Sequence, residues 1–286
     1  MTVTIRTLCD TDVDAADAVI VAAYNAPHSR KAALQAYLRL QPDGWMLALQ
    51  DNEPVGLGGL VNYGPFAYLG MMSVLPAAQG KGIGKQLVSH LLQWAENKKC
   101  PTILLDATPA GSYLYKSFDF VEIDRSQHWQ HAGVDELTMP SQTNGIVTAI
   151  SVSDLPSLAA FDTPYFGASR IHVLEAMLGQ YPRRAFAVWD TNGQVNGYLF
   201  AQERSIGPWV ARSMEDAERL LAAALKLPFP GNAISVNISS ITNQDAIQLL
   251  ERYGFKLQRT LSHMRRGPAV ERNLRKIYGQ TAFALG

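Results

Sequence analysis

Three glycines in five residues, Gly80, Gly82 and Gly84, stand between an apolar run and an amphipathic one in VLPAAQGKGIGKQL, residues 74–87. Pro76 breaks the strand that ends at Val74, and Gln79-Gly80-Lys81-Gly82-Ile83-Gly84 opens a helix. Such a turn presents backbone N–H groups that no helix carbonyl takes up. Without Cβ atoms the backbone can press close to a bulky anion, and the helix dipole favours negative charge there, so binding of a diphosphate is the chemistry implied. Each glycine costs a helix about 1 kcal/mol relative to alanine, which argues against a cluster kept for packing alone.

Two phosphate-binding templates fit poorly. A nucleotide P-loop ending at Gly84-Lys85 would need glycine at Gln79 and a hydroxyl at Gln86, and glutamine cannot serve magnesium as serine or threonine does. The dinucleotide pattern GxGxxG begins at Gly80 and Gly82, with Asp106 about 20 residues beyond, but Lys85 takes the third glycine position. A dinucleotide unit also starts with its glycine turn, whereas this one follows a hairpin.

The elements that must hold this turn can be read from periodicity. A first strand is followed by helices over residues 14–24 and 29–40, strands over 45–49, 54–62 and 67–74, and a helix over 82–97 with Ile83, Leu87, Leu91 and Trp94 or Ala95 on one face. ILLDA, 103–107, reads as a buried strand, then a short helix carries Leu114 and Tyr115 and a last strand begins near Phe120. The order predicts an α+β unit with antiparallel strands first and a parallel crossover afterwards.

The second half repeats the first at an offset of roughly 140 residues. VTIRTLCDTDVDAADAVI matches VTAISVSDLPSLAAF, WMLALQDNEPVGLGGLV matches AFAVWDTNGQVNGYLFA, and LYKSFDF matches LERYGF. The polar stretch SQTNG, 141–145, is the expected linker, giving domains at 1–140 and 145–286.

The run Gln79-Gly80-Lys81-Gly82-Ile83-Gly84 resembles the acyl-CoA signature [Q/R]xxGxG/A of the GNAT (GCN5-related N-acetyltransferase) superfamily. The resemblance implies two tandem GNAT-like domains, each a mixed, mostly antiparallel twisted sheet flanked by helices. It further implies that Met72 and Val74 offer backbone amides to the pantetheine arm and thioester, that the loop amides hold the pyrophosphate, and that Lys81 and Lys85 add charge. Leu114-Tyr115 followed by Phe120 is similar to the family's second signature, LYxxxGF, which makes Tyr115 the acid for the departing thiolate. Asp119 stands where the family has glycine, and aspartate tolerates the left-handed turn better than most residues. Asp106 and Thr108 are candidates for cofactor or amine contact, or for structural caps. Tyr63 and Tyr68 could line an acceptor site, strand packing being their default role. No general base is legible in residues 61–72, and His128 and His131, read as following the last strand, receive no role.

The second copy lacks the loop: its counterpart is IGPWVARSMEDAERLL, where Ser213 and Asp216 read as a cap for a helix through Ala217, Leu220, Leu221 and Ala224, and Leu250 replaces Tyr115. DTPYFGASR, Gly197-Tyr198, IGPW and YGQTAFALG resemble the second domain of tandem GNAT proteins. This half is expected to be catalytically silent and to help form the acceptor site, with Arg170, Phe166 and Trp209 as candidates.

Composition bounds the rest. With 25 basic and 25 acidic residues the 286-residue chain has no field to attract nucleic acid or a membrane surface. Cys9 and Cys100 make neither a disulfide framework nor a zinc site, and no leader or membrane run is legible, so a cytoplasmic, metal-free monomer is expected. The reading is an N-acetyltransferase using acetyl-CoA and a small-molecule or peptide amine; a silent acyl-CoA-binding sensor or adaptor is the alternative, and a nicotinamide oxidoreductase a distant third.

Overall fold

The computed structural model describes residues 2–131 and 146–286; the linker expected at 141–145 lies outside the described residues. The chain divides into two compact units.

The first unit contains β1 (Val3–Thr7), α1 (Val13–Tyr24), α2 (Lys31–Leu40), β2 (Trp45–Gln50), β3 (Glu53–Asn62), β4 (Ala67–Val74), α3 (Ile83–Asn97), β5 (Ile103–Ala107) and α4 (Pro109–Lys116). Its sheet runs β1-β2-β3-β4-β5, antiparallel as far as β4, with β4 and β5 parallel across the α3 crossover. Ile83, Leu87, Leu91 and Ala95 put the expected face of α3 on Leu60, Leu69 and Leu105. Burying each such leucine stabilises by about 1.5–3 kcal/mol and fixes where α3 begins.

The second unit repeats the order with β7 (Val147–Ala149), α5 (Leu155–Phe166), α6 (Ile171–Gln180), β8 (Ala185–Trp189), β9 (Val195–Ala201), β10 (Ser205–Ala211), α7 (Met214–Ala224), β11 (Ile234–Ile238) and α8 (Gln244–Arg252), then β12 (Lys256–Arg266) and β13 (Ile277–Gly279). Its core gathers Leu220, Leu221 and Ala224 of α7 on Leu199, Ile206 and Val236. Both units are α+β, with a mixed sheet flanked by helices.

The compact units do not follow the chain boundary at 140–145. The first is Met1–Val121 with Met264–Ala269 and Leu285; the second is Glu122–His263 with Val270–Ala284 and Gly286. The cause is strand pairing. The strand that ends the first repeat, β6 (Val121–His131), satisfies its backbone against β11, from His131↔Ile234 to Gln127↔Ile238. Conversely, Met264 near the end of β12 is buried in the first unit's core.

Candidate active site

The site begins with a bulge. The ladder between β3 and β4 pairs Leu57 with Ser73 but Gly59 with Gly70, so β4 carries one extra residue there, and Met71 adopts φ 54°. Pairing between β4 and β5 runs from Ala67↔Ile103 to Leu69↔Leu105. The two strands thus diverge at the bulge, and the β4 edge beyond it faces the opening.

Alternation along β4 decides which groups face that opening. Leu75 N–H donates to Val55 on β3 at 2.8 Å, which turns the backbone groups of Val74 and Met72 the other way. Two side-chain bonds agree: the Tyr24 hydroxyl donates to the Met72 carbonyl at 2.7 Å, and Gln79 Nε2 donates to the Val74 carbonyl at 3.0 Å. The amides of Met72 and Val74 therefore point away from β3. Gln79 closes the loop onto β4 with its side chain.

The next segment delivers the start of α3 to the same end of the strand. Gly80 and Gly82 adopt φ 75° and 81°, and a Cβ on either would meet no protein atom within 4 Å, so glycine is needed for backbone conformation and not for space. Gly82 is the N-cap and supplies no side-chain cap, which leaves the amides of Ile83, Gly84 and Lys85 as the uncapped helix start. Ile83 is buried and anchors the turn, Lys81 and Lys85 are exposed, and Gly84 faces Leu114 of α4. These residues form a ready anion site with a partial positive charge.

On α4, Thr108 is the N-cap, accepting from Gly111 N–H at 3.1 Å, so of its two expected roles the structural one is seen. Tyr115 is buried, edge-on to Phe120 with ring centroids 5.6 Å apart, and Asp119 takes the left-handed turn at φ 63°. Burial drives the Tyr115 phenol well above its usual range, and the neighbouring Tyr24 pushes the same way. Tyr115 is therefore a proton-bearing phenol at neutral pH.

Asp106 lies one residue past the last β4–β5 pair, and its Oδ2 accepts from the Tyr68 hydroxyl at 2.5 Å. Ile103, Leu105 and Ala107 belong to the core that contains α3 and Tyr115, so alternation turns Asp106 to the other sheet face, as it does Tyr68 between Ala67 and Leu69. The two faces of the sheet at this end of β5 thus carry a phenol, Tyr115, and a carboxylate, Asp106. Tyr24 was not legible as a site residue; it ends α1 far from either motif, and no local pattern marks it. Tyr63 donates to the Leu285 carbonyl at 2.8 Å.

Among the described residues, the second unit has neither an uncapped start on α7, the counterpart of α3, nor a counterpart of Tyr115. Ser213 caps α7 by accepting from Asp216 N–H at 3.1 Å, and Leu250 is buried. Arg170, Phe166 and Trp209 are each 0% exposed, which removes them as acceptor-lining residues in this structure. His128 and His131 lie within β6 and not after it; His128 Nδ1 is 2.7 Å from Asn237 Oδ1, and His131 packs on Phe255. Among the described residues, no cluster of histidine, cysteine and acidic side chains could hold a metal ion, and no helix is long and apolar enough to cross a membrane.

A bulged strand diverging from its parallel neighbour beside an uncapped, glycine-started helix gives the first unit a site suited to an extended, diphosphate-bearing ligand. A model of the acetyltransferase (GNAT) family matches residues 13–120, and one of an acetyltransferase (GNAT) domain matches residues 158–279. A crystal structure of a candidate acetyltransferase from Pyrococcus horikoshii is 30% identical with a TM-score of 0.86, covering 99% of this chain and 96% of that one. A tandem GNAT protein from the clavulanic acid biosynthesis pathway shares the fold, with a TM-score of 0.64 at 15% identity over 94% of this chain and 100% of that one. Holothin acyltransferase of Pseudoalteromonas sp. (strain SANK 73390) is 22% identical over 256 residues, 88% of this chain and 84% of its own. The chain belongs to the GNAT acetyltransferase family as a tandem member, and it is an acyltransferase.

Proposed function

We propose that this protein is an N-acetyltransferase whose first unit moves an acetyl group from acetyl-CoA to a small-molecule or peptide amine. The observation that carries the reading is the uncapped α3 start lying next to the outward amides of β4 in one unit only. The amides from Gly80 to Lys85 would hold the pyrophosphate, with Lys81 and Lys85 adding charge. Met72 and Val74 would hold the pantetheine arm and thioester, and Gln79 keeps the Val74 peptide turned toward it.

The transfer forms a bond between the amine nitrogen and the acyl carbon and breaks the carbon–sulfur bond. Tyr115 gives its proton to the departing sulfur, a role its protonated state supports. Asp106, on the other sheet face and held by Tyr68, is the carboxylate we assign to the proton the amine loses. Attack from one face and departure on the other need no metal and no covalent enzyme intermediate.

Calorimetric titration with acetyl-CoA, with NADH and ATP as controls, tests the cofactor. Thiol release over a panel of amines, including holothin, after which the Pseudoalteromonas relative is named, tests the transfer. Binding without thiol release from any amine would favour a sensor; no binding would remove the reading.

A further inference from the structure

β4 and β10 are the same strand in two copies, and their ladders match them residue by residue. On β4 the slip falls between Leu57↔Ser73 and Gly59↔Gly70; on β10 it falls between Leu199↔Trp209 and Ala201↔Ile206. Each strand therefore bulges at the same place, and each has a positive φ there, 54° at Met71 and 142° at Gly207. By this match Met72 corresponds to Pro208 and Val74 to Val210. Pro208 has no N–H, so the donor that Met72 offers has no counterpart.

β10 also diverges from its parallel neighbour, pairing with it only at Ser205↔Ser235 and Ile206↔Val236. The edge beyond is taken by the chain itself. β13 pairs antiparallel with it, Trp209 with Gly279 and Val210 with Ile277. On the other side of the opening, Gln280 N–H donates to the Asn237 carbonyl of β11 at 2.6 Å. Asn243, which caps α8, donates from Nδ2 to the Ile277 carbonyl at 2.9 Å. Tyr278 is fully buried, its ring 5.3 Å from that of Trp209. The fit is tight enough that a Cβ on Gly207 would lie 1.9 Å from the Gln280 carbonyl oxygen.

We infer that the opening between β10 and β11 is a binding surface for an extended peptide, and that its ligand is residues 277–281 of the same chain. This internal strand lies across the edge that in the first unit faces the acyl-CoA opening, so each chain takes up one acyl-CoA. The occupancy of the second opening stands on the second unit's own hydrogen bonds; only the identity of the excluded ligand rests on the proposed function.

Hydrogen–deuterium exchange of the intact protein tests the occupant directly. The amide of Gln280 is expected to exchange on the order of 100-fold or more slower than in an unstructured chain, as β11 amides do, and to be unchanged by saturating acetyl-CoA. Fast exchange there, or exchange accelerated by acetyl-CoA, overturns the inference. Gly207→Ala, which drives a methyl group into Gln280, should speed exchange over 277–281 at least about tenfold; no change in a folded variant would count against it, and the wild-type exchange decides if the variant does not fold. Titration should give one acetyl-CoA per chain, abolished by Gly82→Asp. A second equivalent, or binding that survives that substitution, overturns the exclusion. No binding at all would fail the reading of the first unit while leaving the exchange result to stand by itself.

Discussion

The Tyr24 hydroxyl donates to the Met72 carbonyl at 2.7 Å, tying the end of α1 to β4 just past the bulge. The carbonyl and N–H of one strand residue point the same way, so this bond also aims the Met72 amide into the opening. Tyr24→Phe removes one hydrogen bond worth about 1 kcal/mol net. We expect acetyl-CoA affinity to fall roughly 3- to 10-fold, with little change in melting temperature because Tyr24 is 47% exposed. Unaltered affinity by calorimetry would show that the amide is aimed without it.

Tyr115→Phe separates binding from chemistry. The ring stays in its packing against Phe120, so acetyl-CoA affinity should change less than about twofold, whereas kcat should fall on the order of 10²-fold or more if the phenol is the acid. A pH profile adds a second reading. Burial, then Tyr24, raises the Tyr115 phenol above its usual 10.0, so the folded protein keeps a proton that the unfolded chain loses. Its contribution to stability is complete below pH 10.0 and is lost as pH rises beyond it. Wild-type kcat should accordingly show no loss from Tyr115 ionisation up to that pH, and the phenylalanine variant should be less sensitive to alkaline unfolding above it. A falling limb near neutrality that vanishes in Tyr115→Phe would contradict this.

Gly82 isolates the loop. Its φ of 81° penalises any side chain, by about 1 kcal/mol for alanine, while the open space around it rules out a clash within the protein. Gly82→Ala should therefore fold with slightly lower stability and bind acetyl-CoA more weakly. Gly82→Asp should abolish binding, since it adds an acidic side chain where the helix start would meet an anion. Equal affinity of both variants with wild type would remove the loop from the site.

Much of this was legible in the chain. Helix α3 has its buried face at Ile83, Leu87, Leu91 and Ala95 because 3.6-residue periodicity is a local signal, and β5 was readable as ILLDA because an apolar run beside a turn admits few alternatives. What stayed hidden is non-local. Which strand the end of the first repeat joins depends on the β6–β11 register, set over a separation of more than 100 residues. The pairing of Tyr68 with Asp106 requires knowing that both turn to the same sheet face, which the local sequence around neither residue shows. The Met71 bulge carries no glycine to announce it. Arg170 shows the limit most plainly, because one guanidinium in a sequence looks the same whether it faces a substrate or is buried.

Arg170 is 0% exposed and donates to both carboxylate oxygens of Asp162, at 2.8 and 2.9 Å, to Thr281 Oγ1 at 3.0 Å and to the Gly286 oxygen at 3.3 Å, while lying over the Phe166 ring. These bonds join α5 to the segment after β13, so the residue's work is structural. Arg170→Met would leave Asp162 buried without its cation, a change that costs about 3–5 kcal/mol. We expect a clear drop in melting temperature with acetyl-CoA affinity of the folded protein unchanged, because the loop and β4 edge belong to the other unit. Adding Asp162→Leu to Arg170→Met should recover part of the loss, since the two charges are then removed together. If Arg170→Met instead kept its melting temperature and raised KM for an acceptor amine, Arg170 would be a substrate residue after all, and its burial would have to be relieved during turnover.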